Sequence, residues 1–159
     1  MTIDVRTATK DDAATISMLN ADVQGIHADA LPWRFKQPGP DTFTPRDAEA
    51  LLTKPDHIAL LAYVDDTPSG YLIAEVMRRQ ETAAHHAHNS IYVHHISVRP
   101  VARRRGVGRA LMDAIKAHGE AIGISLIALD TWSFNEQALA FFKRYGLVPY
   151  NVRLWNRVD

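Results

Sequence analysis

Ile3-Asp4-Val5-Arg6 alternates apolar and polar side chains, the period-two pattern of a short strand. Thr9 and Asp12 have the spacing of a capping box, and Ile16, Leu19 and Val23 recur at helical spacing, which predicts a helix to about residue 28. Pro32, Pro38, Gly39 and Pro40 make 30–43 a loop. Thr44-Pro45 with Asp47 predicts a second capped helix, ending near Thr53. His57 to Val64 is almost wholly apolar, as in a strand buried on both faces. Asp65-Asp66-Thr67-Pro68-Ser69-Gly70 is a turn cluster, so Tyr71 to Met77 returns as the hairpin partner. The polar, His-rich stretch 82–89 reads as a loop, and Ile91 to Val98 as a strand ended by Pro100. A helix is predicted from Gly106 to about Ile122, with Leu111, Ala114 and Ile115 on one stripe and Gly123 near its C-cap. A strand follows at Ile124 to Leu129, a helix at Asn135 to Tyr145 closed by Gly146, and one or two strands between Leu147 and about Arg157. The order β-α-α-β-β-β-α-β-α-β-β puts antiparallel hairpins before a β-α-β-α segment. It predicts an α/β (α+β three-layer) fold: a mixed, mostly antiparallel sheet of six or seven strands flanked by helices. No repeat or low-complexity linker divides 1–159, so one domain is expected.

Composition narrows the chemistry. Apolar residues at 47% and charged residues at 23% are an ordinary globular mix. The absence of cysteine excludes disulfides, a thiolate nucleophile and Cys-ligated zinc or iron–sulfur sites. No apolar run reaches about 18 residues, so no membrane span is expected. Met1-Thr2-Ile3-Asp4-Val5 does not open like a secretory signal, and a cytoplasmic location is the expectation.

Charge changes the picture more. Eighteen Lys+Arg balance eighteen Asp+Glu, which excludes a globally basic nucleic-acid binder. The balance is local, however: residues 1–80 hold 8 basic and 12 acidic side chains, residues 81–159 hold 10 and 6. Arg99, Arg103, Arg104, Arg105 and Arg109 fall together with no acid among them. Gly106 and Gly108 sit inside this run, where a strand gives way to a helix. Helix N-terminal amides have no internal partner and favour anions, and arginines add forked donors, so the stretch reads as a phosphate cradle. The dinucleotide fingerprint fails because Leu111 stands where its third glycine belongs, and no Gly-Lys pair supplies a P-loop. Without the glycines, a solvated basic loop or a nucleic-acid arm would be the plainer reading. A nucleic-acid module also needs a wider basic face and aromatic platforms, which are not found.

Arg103-Arg104-Arg105-Gly106-Val107-Gly108 resembles the Gln/Arg-x-x-Gly-x-Gly/Ala acetyl-CoA signature of the GNAT superfamily of N-acetyltransferases. Asn135-Glu136-Gln137-Ala138-Leu139-Ala140-Phe141-Phe142-Lys143-Arg144-Tyr145-Gly146-Leu147 resembles that family's downstream helix. The resemblance spans roughly residues 3–157 and is most specific over 91–147. It implies direct acetyl transfer from acetyl-CoA to a primary amine, with acetyl-CoA as co-substrate. It implies that the backbone of Ile96, Ser97 and Val98 holds the pantetheine arm, and that Arg103, Arg104, Arg105, Gly106, Val107, Gly108 and Arg109 hold the pyrophosphate. Asn135 would contact the CoA arm, although it also suits a helix N-cap. Phe142 stands where the family often places an acidic tyrosine, so Tyr145 is the substitute candidate acid, or packs against the following strand.

The family's base is an acidic residue at varied sites on the strand before the signature. The matching sites hold Tyr92 and His94, neither of them acidic. His94 is a candidate base because its ordinary pKa lies near neutrality, at about 6.5. Alternation puts His95 on the opposite face unless a bulge intervenes; it is the second candidate, and both also read as half-buried strand residues. The family builds its acceptor site from the first two helices and their loop, here His27, Trp33, Arg34 and Phe35, with Tyr92 from the strand. Trp33 and Phe35 either clamp an amine or cover the core. His85, His86 and His88 cluster in a loop without a nearby carboxylate beyond Glu81, and no metal is expected. The expected partner is a small-molecule or peptide amine, with no nucleic acid and no membrane, and a homodimer is the assembly the family suggests. A peptide or protein acetyltransferase and a non-catalytic acetyl-CoA sensor stay open as rival readings.

Overall fold

The computed structural model describes residues 1–157, so the last two positions of the expected domain lie outside the described residues. β1 (Ile3–Thr7) leads into a 3-10 turn (Lys10–Asp12) whose capping box at Thr9 and Asp12 is formed. α1 (Ala13–Ala30) follows, then the loop, then α2 (Pro45–Leu52). At α2 the Thr44 backbone N–H donates to Asp47 while the Asp47 N–H donates back to the Thr44 hydroxyl, satisfying two end groups at once. β2 (His57–Val64), β3 (Thr67–Arg79) and β4 (His88–Val98) form an antiparallel meander. α3 (Val107–Ala121), β5 (Ile127–Leu129) and α4 (Glu136–Tyr145) complete the chain of elements.

The sheet has five strands in the order β1-β2-β3-β4-β5, antiparallel except for the parallel pair β4–β5. The expectation of six or seven strands is therefore corrected. Residues 147–157 form no strand, although Val148, Tyr150, Val152 and Leu154 alternate as a strand would, because those side chains are exposed and no sheet surface covers them. The expected strand at Ile124 to Leu129 shortens to its last three residues. β3 starts at Thr67 rather than Tyr71. Asp65 and Asp66 both adopt positive φ (46° and 64°), which makes a tight two-residue hairpin, and the register shift at Ala62/Tyr63 absorbs Ser69.

Alternation along the strands splits the core in two. Ala59, Leu61, Tyr71 and Ile73 face α1 and α2, against Ile16, Leu19 and Ala48. Leu60, Ala62, Leu72, Ala74, Ile91 and Val93 face α3 and α4, against Val107, Leu111, Met112, Ile115 and Phe142. The apolar β2 run is thus buried on both faces, as its composition predicts. Each large aliphatic side chain so buried stabilises the fold by about 1.5–3 kcal/mol, and the two layers fix β4 between them.

Candidate active site

The site grows from an irregularity in β4. Its register with β3 runs Leu72↔Ile96 and Ile73↔His95, then jumps to Ala74↔Val93, so His94 is the extra residue of a β-bulge. Simple alternation would send His94 and His95 to opposite faces. The bulge instead turns both toward the α1/α2 side, where they line one cavity of about 570 Å³ with Leu51, Lys54, His57, Ile73 and Glu75.

The same bulge changes the phase of the backbone. Before it, the Ile91 N–H donates to Leu126 O, toward β5; after it, the Arg99 N–H donates to Ser69 O, toward β3. Alternation back from Arg99 aims Ser97 at β3 and turns the N–H and C=O groups of Ile96 and Val98 the other way. β5 does not meet them: it pairs with β4 only from Ile91↔Ile127 to Val93↔Leu129. The strands part there, and the edge formed by Ile96 and Val98 faces the gap. Arg103 Nε donates to Val98 O from that side at 3.0 Å. Ser97 is buried, with its hydroxyl on Leu19 O at 3.1 Å. At the fork the Tyr92 hydroxyl donates to Asp130 Oδ2 at 2.6 Å, and burial together with that carboxylate pushes the phenol up to about 12.

The two imidazoles differ. His94 Nε2 lies 2.7 Å from Glu75 Oε2, and its ring is parallel to that of His57, 5.7 Å away at 7°. His95 packs against Phe43, and its Nδ1 lies 3.2 Å from the Tyr71 hydroxyl. Asn20 Nδ2 donates to that same hydroxyl at 2.8 Å. With its oxygen accepting from Asn20, Tyr71 gives its proton to His95 Nδ1, and Nε2 then carries the ring N–H. Burial, reinforced by nearby His94 and His27, pushes His95 down to about 4. His95 is thereby a neutral hydrogen-bond donor and a weak proton acceptor.

The start of α3 is built to meet an anion. Gly106 has φ +91°, a left-handed conformation that glycine takes without cost, and no side chain caps the helix. The first intrahelical bond is Ala110 N–H to Gly106 O, so the amides of Val107, Gly108 and Arg109 have no partner within the helix. Gly108 has a different reason: an added Cβ would sit 3.2 Å from Phe141 Cζ, so this glycine lets α4 approach α3. Val107 is buried and presents only its backbone. Arg104, Arg105 and Arg109 are exposed, with Arg105 Nε against Met1 Sδ and Arg109 3.7 Å from Asp113.

Other sequence candidates fall elsewhere. The Tyr145 hydroxyl donates to Asp113 Oδ1 at 2.8 Å, and burial together with that carboxylate pushes it up to about 12. It joins α4 to α3 on the sheet face opposite His94. Phe142 is buried in the core, and its neighbour Phe141 is the ring that meets Gly108. Asn135 Oδ1 accepts from the Ala138 N–H, the helix cap. Trp33 and Phe35 do not form one clamp. Trp33 stacks on Trp155 at 5.1 Å, whereas Phe35 joins His27, Trp132 and Phe134 in a cluster with ring separations of 5.0 to 6.0 Å. Arg34 lies over Trp132 and Phe35, and burial holds His27 below its ordinary pKa. His85, His86 and His88 do not converge; among the described residues the one group arranged for a metal is His57, Glu75 and His94. Sequence reasoning missed His57, Glu75, Tyr71, Asn20, Trp132 and Phe134. Glu75, a carboxylate inside an otherwise apolar strand, was the one available signal.

No helix of the described residues is long and apolar enough to cross a membrane. A model of the acetyltransferase (GNAT) family matches residues 21–147. No curated protein matches in sequence. Among solved structures, a mutant of the BH1408 protein from Bacillus halodurans is similar with TM-score 0.91 at 22% identity, covering 98% of this chain and 99% of that one. A ribosomal-protein-alanine N-acetyltransferase from Brucella melitensis biovar Abortus 2308 is similar with TM-score 0.74 at 22% identity, covering 99% and 100%. AAC(6')-Iy in complex with the bisubstrate analog CoA-S-monomethyl-acetylneamine has TM-score 0.73 at 19% identity, covering 100% and 99%.

Proposed function

The chain belongs to the GNAT acetyltransferase family, and from that premise we propose that it moves the acetyl group of acetyl-CoA directly to the primary amine of a small molecule. The observation that carries this reading is the parting of β4 from β5 beside a bulge that brings both imidazoles to one cleft. The open edge of Ile96 and Val98 suits the amide groups of a pantetheine arm. The amides of residues 107–109, with Arg104, Arg105 and Arg109, suit the pyrophosphate.

His94, held by Glu75, takes a proton from the acceptor ammonium. The free amine attacks the thioester carbon and a C–N bond forms; the nitrogen gives up its second proton to water, and the C–S bond breaks to release CoA thiolate. His95, neutral and carrying its proton on Nε2, donates to the oxyanion of the intermediate. With Phe142 lacking a proton and Tyr145 tied to Asp113, the thiolate takes its proton from water. No acyl-enzyme thioester forms, because the chain has no cysteine.

Glu75 and the aromatic group His27, Phe35, Trp132 and Phe134 favour a compact cationic acceptor. The likeness to AAC(6')-Iy, captured with an acetylneamine analog, supports that class. The likeness to a ribosomal-protein-alanine acetyltransferase keeps a peptide amine as the second reading. Thiol release from acetyl-CoA with amino sugars, polyamines and peptides tests both. His94→Gln is expected to lower kcat/KM about 100-fold and Glu75→Gln about tenfold, within the range of general-base effects. Full activity in His94→Gln removes the assignment, and CoA binding without thiol release for any amine points to a sensor.

A further inference from the structure

His57, Glu75 and His94 come from three adjacent strands and share one wall of the cleft. One ligand atom from each lies within 4.8 Å of the others. Two features go beyond an ordinary ion pair. First, His57 Nδ1 lies 3.1 Å from Pro55 O, so the carbonyl takes the Nδ1–H and leaves the Nε2 lone pair free. That backbone bond is the outer contact that orients metal-bound histidines. Second, the His57 and His94 rings are parallel, with Glu75 Oε2 already 2.7 Å from His94 Nε2.

We propose that these three side chains form a site for a divalent transition cation of the zinc class, and that its occupancy switches acetyl transfer off. Two neutral imidazoles and one carboxylate are a donor set that suits zinc, and three protein ligands leave a fourth position open to the cleft. Zinc bonds of about 2.0–2.1 Å put tetrahedral ligands about 3.3 Å from one another, so the ligand atoms, now within 4.8 Å, close by up to about 1.5 Å, while the His94–Glu75 pair at 2.7 Å opens by about half an ångström. None of the three is buried, so solvent and a cation reach them from the cleft. The bound cation replaces the Nε2 proton that His94 gives to Glu75, takes the carboxylate that holds His94, and its charge opposes uptake of the ammonium proton at Nδ1. The inhibition rests on the role of His94 argued above; the binding does not.

The test uses untagged full-length protein, zinc chloride by calorimetry, and cobalt(II) by its visible absorption. One equivalent is expected to bind. His57→Gln is expected to weaken binding about 100-fold, at the upper end of what even outer-contact changes cost. His57→Phe, which keeps the ring stack, is expected to do the same. Replacing His85, His86 and His88 together by Gln is expected to change nothing. Zinc is expected to inhibit the wild type over its binding range, and the activity of His57→Gln, measured against its own rate in chelator, to resist zinc. Absence of binding by the wild type, wild-type affinity in both His57 variants, or loss of binding in the triple variant overturns the site. Tight binding that leaves turnover untouched upholds the site and counts against His94 as the base, so the two readings fail separately.

Discussion

The Tyr71 hydroxyl, fully buried, joins Asn20 on α1 to His95 on β4 and sets which ring nitrogen holds the proton. Tyr71→Phe leaves a buried Asn20 amide without an acceptor and His95 Nδ1 without its donor. The cost of such orphaned groups is about 1–3 kcal/mol, so a thermal melt is expected to drop by several degrees. An unchanged Tm would mean that the bond contributes nothing. His27 carries a second prediction. Burial holds its pKa below the unfolded value, so its contribution to stability is fully present above about pH 6.5 and declines as pH falls through the folded pKa. Unfolding curves between pH 8 and 5 are expected to show that decline together with the one from His95, whose pKa burial pushes down to about 4, and His27→Phe to make it shallower. At this scale the sequence was a partial guide. His94 and His95 were visible as titratable residues on a strand, but their different roles depend on Tyr71 and Glu75, which sit more than a dozen residues away in the chain.

Elements whose ends are set by neighbouring residues were readable in advance: the box at Thr44, the cap at Asn135, and the left-handed Gly146 that closes α4. Elements that depend on distant partners were not. The alternating segment 148–154 has a strand's pattern but no strand to pair with, and β5 is cut to three residues where it leaves β4. The bulge has no local signature, because it is defined by register against β3. Gly106 allows an element-level test. Its φ of +91° makes Gly106→Ala cost about 1–2 kcal/mol and tilts the free amides of α3. The KM for acetyl-CoA is expected to rise several-fold with a smaller change in kcat, measured by steady-state kinetics. An unaltered KM would separate this loop from the cofactor.

Across the whole molecule, zero net charge is the sum of an acidic first half and a basic second half. The structure puts three exposed arginines beside the uncapped start of α3, and the Glu75 carboxylate in the cleft across the sheet. Salt shortens the reach of exposed charges to about 10 Å at 0.1 M and about 3 Å at 1 M. Raising ionic strength is therefore expected to raise the KM for acetyl-CoA several-fold while kcat holds, and a flat response would show that these arginines do not hold phosphates. The bulge at His94 has a genetic corollary. A point mutation in β4 swaps one side chain and leaves every other residue facing as before. Losing the codon for His94 removes only the unpaired residue: Val93 and His95 become neighbours opposite Ala74 and Ile73, plain alternation returns, and the amides of Ile96 and Val98 still face the gap. The cofactor edge and the acceptor imidazole are thus separable by a single in-frame deletion, which keeps the first and discards the second.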